Sequence, residues 1–354
     1  MASSTSIYRL EPSSIADAAS VAALRHAAEV VRRGGLVAFP TETVYGLGAN
    51  ALDPAAVARI FTAKGRPANN PLIVHVDRID RARQLAAHWP ETAERLAAEF
   101  WPGPLTLVVP RAAIVPAIVT AGAATVALRI PAHPVARALL EAANRPIAAP
   151  SANRSNQVSP TTGEHVIRGL CAATDNLVDV LLDGGAASGG LESTVLDLST
   201  DPPRLLRPGL VWPSEIERVI GPINCPEFAI ADSAAALPSP GTQPRHYAPR
   251  APMECHPSPN RSRLEDLTRE GRRTGWLTLN SDTRDVPGGA VVVKMPRDPV
   301  AYAARLYAAL HELDAAGVER ILVDLPPPGE EWQAVRDRLR RGATITITNT
   351  SPKR

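Results

Sequence analysis

Between Pro213 and Pro259 the chain carries ten prolines. Each removes a backbone donor and restrains the residue before it, so neither a regular helix nor a central strand is expected to persist there. The stretch 214–260 therefore reads as an interdomain linker. It separates a larger N-terminal domain, 14–213, from a smaller C-terminal one, 261–354. A linker this long is unusual unless it has a task. The 354 residues suit two domains, and no repeat at solenoid spacing competes with that division.

Hydrophobic spacing fills in both halves. Asp17–Arg33 reads as a helix with Ala19, Val21, Leu24, Ala28 and Val31 on one face, stopped by Gly34-Gly35. Leu36–Phe39 is a short buried strand, and Pro54–Thr62 a helix with proline at its start. Leu72–Val76, Leu105–Val109, Val126–Arg129, Ile147–Ala149, Leu177–Leu182 and Ser193–Leu198 are further strands. Arg78–His88, Glu91–Phe100 and Pro134–Ala143 are helices among them. This alternation predicts an α/β domain with a mixed, twisted sheet. The second half predicts a small Rossmann-like α/β unit. Its strands are Gly275–Asn280, Ala290–Lys294, Ile321–Leu325 and Thr344–Asn349, its helices Val300–Ala316 and Glu331–Arg341. No GxGxxG accompanies it, so it is assigned no nucleotide.

Charge and sulfur exclude several classes. The 38 basic and 36 acidic residues nearly cancel, which removes a polybasic module held to its partner by net charge. Cys171, Cys225 and Cys255 form no CxxC pair, so neither a zinc finger nor a disulfide framework is expected. The N-terminus lacks the apolar stretch of a signal peptide, and no apolar run reaches membrane-spanning length. A cytoplasmic protein without a membrane partner is the expectation.

Polar motifs cluster at the ends of the predicted strands, where α/β folds place ligands. Pro40-Thr41-Glu42-Thr43-Val44-Tyr45-Gly46-Leu47-Gly48 offers hydroxyls and glycines to a small polar ligand, or is a tight glycine turn. Lys64-Gly65-Arg66-Pro67 can grip phosphate with a point charge and a planar fork, or form a solvated face. The first reading gains weight because lysine is scarce: Lys64, Lys294 and Lys353 stand against 35 arginines. His75 alone is more often a core residue than a ligand group. Arg129, ending an apolar strand, suits a carboxylate from substrate or protein. Ala149-Pro150-Ser151-Ala152-Asn153, followed by Ser155, Asn156 and Ser159, can hold ribose or phosphate, or cap loops. Asp183-Gly184-Gly185 and Gly189 through Val195 form a fourth cluster. No G-x-S-x-G elbow, HExxH or P-loop consensus occurs, which weakens hydrolase, zinc-protease and Walker ATPase readings.

Taken in order, PTETVYGLG, KGRPxxNPLIVH, GPLTLV, RIPxHP, APSANxSxxxSPT, GxESTVxD and RPG resemble the YrdC/Sua5 family of L-threonylcarbamoyladenylate synthases. The resemblance runs from about Val21 to Gly209. The Ser239-Pro240-Gly241 and Arg245-His246-Tyr247 linker and the added C-terminal domain are similar to the long Sua5 form. It implies a YrdC-like catalytic domain that joins L-threonine, bicarbonate and ATP into threonylcarbamoyl-AMP and pyrophosphate. The product feeds N6-threonylcarbamoylation of adenosine 37 in tRNA.

By resemblance, Thr41, His75, Arg129 and Ser193 match positions that hold threonine, and Ala149 one whose backbone touches it. Lys64, Thr125, Ser151, Ser159 and Arg207 match the ATP side. Arg66 and Asn153 complete the KxR and SxN signatures, so Lys64, Arg66, Ser151 and Asn153 are the expected catalytic set. Mg²⁺ is expected on the ATP phosphates, with no protein metal site. Two departures stand out: Ala68 replaces a basic phosphate-side residue, and Gly241-Thr242-Gln243-Pro244 replaces a stretch usually carrying methionine and lysine.

The linker, with His246 and Tyr247, could act as a proline-stiffened strap limiting hydrolysis of the labile product, or the C-terminal domain could mainly anchor the strap or contact a partner. The downstream partner implied is the tRNA threonylcarbamoyl-transferase machinery, and direct RNA contact stays open. The competing readings are a nucleotide- or double-stranded-RNA-binding module without catalysis, and carbamoyl transfer to another acceptor. The chain lacks the acylphosphatase-like and zinc-finger segments of the larger proteins that perform the latter.

Overall fold

The computed structural model describes residues 5–171, 177–226, 246–257, 261–279, 286 and 289–346. It divides into two compact units: Met1–Ser155 with Ser159–Gln243, and Asn156–Val158 with Pro244–Arg354.

The strands of the first unit are β1 (Ser6–Arg9), β2 (Val37–Phe39), β3 (Gly46–Asn50), β4 (Ile73–His75) and β5 (Leu105–Pro110). They continue with β6 (Thr125–Arg129), β7 (Ile147–Ala148), β8 (Val180–Asp183), β9 (Thr194–Asp197) and β10 (Arg204–Arg207). The described strands form one sheet in the order β1-β8-β2-β3-β7-β4-β6-β5-β9-β10. Parallel pairs such as β4/β6 and β5/β9 sit beside antiparallel ones such as β5/β6 and β9/β10, so the sheet is mixed.

Helices cover both faces. They are α1 (Ala18–Arg32), α2 (Pro54–Lys64), α3 (Ile79–Leu85), α4 (Glu91–Phe100), α5 (Pro134–Ala143), α6 (Gly163–Val166) and α7 (Pro213–Ile220). Asp17 starts α1 by accepting the Ser20 N–H, and Pro134 sits at the start of α5, where no backbone donor is missed. Ala23, Leu24, Ala27, Ala28 and Val31 of α1 pack with Val135, Ala136, Leu139, Leu140 and Ala143 of α5 over Val37, Phe39 and Val180. The alanines let the two helices approach each other. Each leucine there is worth about 1.5–3 kcal/mol in buried area. Val57, Ile60, Leu85 and Leu96 build the larger cluster with Leu36, Leu47, Val74 and Leu128.

Three strands escape the sequence pattern: β1, β3 and β10. The GLGAN segment of β3 is a strand, not a glycine turn. A Cβ on Gly48 would lie 2.6 Å from Ile147 Cγ2 and 2.7 Å from Phe39 Cε1, so glycine serves close packing there. Helix α3 is shorter than 78–88 because Ala86 turns extended after Leu85 and bridges to Arg111.

The second unit contains β11 (Met253–His256), β12 (Thr274–Thr278), β13 (Val291–Lys294), β14 (Arg320–Asp324) and β15 (Ile345–Thr346). Its helices are α8 (Arg261–Arg269), α9 (Pro299–Ala315) and α10 (Gln333–Gly342). The strands are all parallel, in the order β13-β12-β14-β11-β15. A doubly wound sheet would put its first strand next to its second. Here β14 lies between β12 and β11. Tyr302, Leu306, Leu310 and Leu313 are buried along α9, the face their spacing defines.

The stretch 214–260 is not aperiodic throughout, which corrects the sequence reading. Pro213 starts α7, and no proline follows until Pro222; Pro252 and Pro257 bracket β11, which is paired on both sides. Prolines that fall at element ends frame structure instead of breaking it. Residues 227–245 and 258–260 of that stretch, and 347–349 of the expected last strand, lie outside the described residues.

Candidate active site

The sheet arranges one row of functional side chains. His75 and Arg129 end the adjacent parallel strands β4 and β6 and are register partners. Ser193 immediately precedes β9 and Arg207 ends β10, on the same edge because β5 and β6 run antiparallel. Thr125 begins the strand that Arg129 ends, about 13 Å away along β6. No described hydrogen bond joins it to the row. The structure thus leaves Thr125 apart from the other expected residues.

Arg129 is buried and engaged by two loops. Its Nε donates to Gly103 O at 3.0 Å, its Nη1 to Thr43 Oγ1 at 2.9 Å, and its Nη2 lies 2.6 Å from Glu42 Oε1. Thr41 Oγ1 accepts from the Thr43 and Val44 amides at 3.2 Å and donates to Val44 O, which folds the Thr41–Val44 turn tightly. The turn thereby delivers Glu42 and Thr43 to the guanidinium. Burial, aided by the Arg129 charge, pushes the His75 imidazole down to about 3, so the ring is neutral. The Ala149 amide donates to Ile73 O at 2.9 Å, which places its residue beside β4.

Ser193 and Arg207 form a second knot. Ser193 Oγ lies 2.7 Å from Thr106 Oγ1 and accepts from Arg207 Nη2 at 3.1 Å, while Arg207 Nε donates to Ser193 O. Ser159 Oγ donates to Glu192 Oε1 at 2.6 Å. The residue expected on the threonine side and one expected on the ATP side therefore share a hydrogen bond.

Lys64 and Arg66 are not a solvated face, since only 2% and 8% of them is exposed. Lys64 Nζ donates to the carbonyl oxygens of Ser151 and Asn153, both at 2.5 Å. Arg66 donates to Asn70 O, Asn70 Oδ1 and Pro71 O. Burial and the nearby Arg66 charge pull the Lys64 ammonium well below its ordinary range. The KxR motif thus braces the SxN loop as well as carrying charge. The other motifs interlock too: Tyr45 N donates to Pro160 O, Ala152 N to Tyr45 O, Gly189 N to Glu42 O, and Tyr45 OH to Asp183. Apart from Asn156, which belongs to the second unit, the four sequence clusters meet within the first unit.

His246 and Tyr247 belong to the second unit and are anchored there. His246 N donates to Arg341 O; the Tyr247 ring stacks on Tyr307 with centroids 5.8 Å apart and lies 5.1 Å from the Arg338 guanidinium. The remaining strap residues, 239–245, fall outside the described ones.

Sequence reasoning missed Glu42, Thr43, Thr106 and Glu192 as partners. Glu42 and Thr43 lie inside a motif read for its hydroxyls and glycines, and Glu192 inside the fourth cluster, but the spacing alone assigns none of them a partner. Thr106 lies inside the GPLTLV motif, but nothing local assigns it a role, since its Oγ1 meets Ser193 only across paired strands.

Residues 29–209 match the Sua5/YciO/YrdC family profile, described as telomere recombination, and residues 211–344 match that of the threonylcarbamoyl-AMP synthase C-terminal domain. The chain is 44% identical over 332 residues to a threonylcarbamoyl-AMP synthase of Pyrococcus abyssi, covering 92% of this chain and 95% of that one. A Bacillus subtilis threonylcarbamoyl-AMP synthase is 42% identical over 325 residues, covering 90% and 92% respectively. The crystal structure of P. abyssi Sua5 complexed with L-threonine superposes with a TM-score of 0.85 at 40% identity, covering 98% of this chain and 99% of that one.

Proposed function

The chain belongs to the Sua5/YrdC family of threonylcarbamoyl-AMP synthases, and from that premise we propose how its buried clusters divide the work. The enzyme is a nucleotidyltransferase. It converts L-threonine, bicarbonate and ATP to threonylcarbamoyl-AMP and pyrophosphate, for N6-threonylcarbamoyladenosine in tRNA.

Arg129 receives the threonine carboxylate, for which a planar fork in a dry site is suited. Neutral His75, the Thr41 turn, Ser193 and the Ala149 backbone enclose the rest of the amino acid. Lys64, Arg66, Ser151, Asn153, Ser159 and Arg207 face the nucleotide, and Thr125 serves its far end. The threonine ammonium and bicarbonate give a carbamate, water and a proton. A carbamate oxygen then attacks the α-phosphorus of ATP, and pyrophosphate leaves. This needs no covalent protein nucleophile; alignment and fixed charge supply the rate.

The observation that supports this division is the 3.1 Å hydrogen bond from Arg207 Nη2 to Ser193 Oγ, which joins a residue proposed for the ATP side to one proposed for threonine. Among the described residues, no group of three or more His, Cys, Asp or Glu is placed to cage a metal. Mg²⁺ is assigned to the ATP phosphates, as part of the substrate. No described helix is long and apolar enough to cross a membrane. The product passes to a tRNA threonylcarbamoyl-transferase downstream.

The test is substrate omission with mass detection of the product. Pyrophosphate release must require both L-threonine and bicarbonate and must accompany threonylcarbamoyl-AMP. Nucleotide binding without that dependence makes the chain a binding module.

A further inference from the structure

In the proposed threonine pocket a buried anion stands against the buried cation. Glu42 Oε1 lies 2.6 Å from Arg129 Nη2. Beyond that ion pair, both Glu42 oxygens are shut from solvent and accept no hydrogen bond among the described residues. A carboxylate offers about four lone-pair sites, so this one has capacity left for a cationic donor.

Its position is built into the fold. The Glu42 carbonyl accepts the Gly189 amide at 2.7 Å, and a Cβ on Gly189 would come within 2.9 Å of that same oxygen. Gly189 has no side chain, and the loop closes on Glu42. The charge is also felt by His133 at the start of α5, where it opposes the effect of burial.

An α-amino acid carries its ammonium and carboxylate one carbon apart, so a fixed anion beside a fixed cation is its complement. A pocket reading only the carboxylate would need Arg129 alone. We propose that Glu42 binds the α-ammonium of L-threonine, and after carbamate formation its remaining N–H, so that Glu42 and Arg129 together select a zwitterionic α-amino acid. This rests on the assignment of Arg129 to the threonine carboxylate.

The test uses the full chain and three ligands: L-threonine, 3-hydroxybutyrate (threonine without its amine) and L-threoninamide (threonine without its carboxylate). Affinities are measured by calorimetry for wild type and Glu42→Gln, with ATP affinity and thermal unfolding as controls of the fold. Wild type should bind threonine more tightly than either half-ligand. In Glu42→Gln, threonine and threoninamide should weaken about 10- to 100-fold, as for a lost hydrogen bond to a charged group. 3-Hydroxybutyrate and ATP should change less than about threefold.

Should Glu42→Gln not fold, Glu42→Asp replaces it, with the same ordering of ligands expected. Unchanged discrimination between threonine and 3-hydroxybutyrate overturns the proposal. Tighter threonine binding by the variant also overturns it, because Glu42 would then compete for Arg129. Wild type that binds no threonine defeats the functional reading itself, a different outcome from either.

Discussion

The Lys64 ammonium lies 2.5 Å from the carbonyl oxygen of Asn153 and equally close to that of Ser151. One of the chain's three lysines therefore ties the KxR motif to the loop expected to orient the nucleotide. A guanidinium cannot replace it: the seat is closed, and a planar fork needs acceptors spread in one plane. Lys64→Arg should lower activity about 100-fold through misplacement of Ser151 and Asn153. Lys64→Ala should cost still more in ATP use. Product formation across ATP titrations, with thermal unfolding measured in parallel, checks both; full activity in Lys64→Arg would make the lysine mere composition.

Arg129 is held by Gly103, Thr43 and Glu42. Arg129→Ala strands the Glu42 carboxylate in a closed site, a loss of about 3–5 kcal/mol that compromises folding. Arg129→Lys keeps the charge and gives the cleaner reading. Its compact ammonium cannot reach the separated partners that Arg129 meets through three different nitrogens, so the threonine KM should rise about 10- to 100-fold while the ATP KM stays within about threefold. Equal rises in both would place Arg129 outside the threonine side.

Much of this site was legible because its motifs are local. Thr41, Lys64 and Ser151 fall at or just past the end of a strand or helix, and Ser193 just before one begins. What escaped was decided by packing across the sheet. Glycines read as turn residues are needed in β3 because Phe39 and Ile147 leave no room for a Cβ at Gly48. The prolines between 213 and 259 read as continuous disruption, yet α7 and β11 fit between them. Glu42 was hidden because an acidic residue in a loop is ordinarily solvated; only the fold reveals that Arg129 closes over it.

Two glycines separate dihedral need from space. Gly65 has φ +61° at the end of α2 with open space around its missing Cβ, so Gly65→Ala should cost only about 1–2 kcal/mol. Gly209 has no such dihedral, but a Cβ there would lie 2.2 Å from Thr194 N and 2.5 Å from Ser193 C. Gly209→Ala must force backbone apart beside Ser193 and should cost at least about 3 kcal/mol and most of the activity. Urea unfolding gives the order directly; equal losses would refute it.

Stability should also carry the signature of His75. Its folded imidazole titrates near 3, because burial first and Arg129 second disfavour the charged ring, against 6.5 ordinarily. Below pH 6.5 the unfolded chain takes up a proton that the folded ring refuses, so this residue's contribution to stability falls as pH drops and levels off only near pH 3. Between pH 7 and pH 5 the effect is about 2 kcal/mol. His75→Gln preserves a neutral polar side chain but cannot titrate. Its stability loss between those two pH values should be smaller than that of wild type by about that amount. Urea unfolding of both proteins at each pH measures the difference. Parallel pH dependences would mean that the folded ring takes up its proton over the same pH range as the unfolded one, so that burial does not hold it neutral.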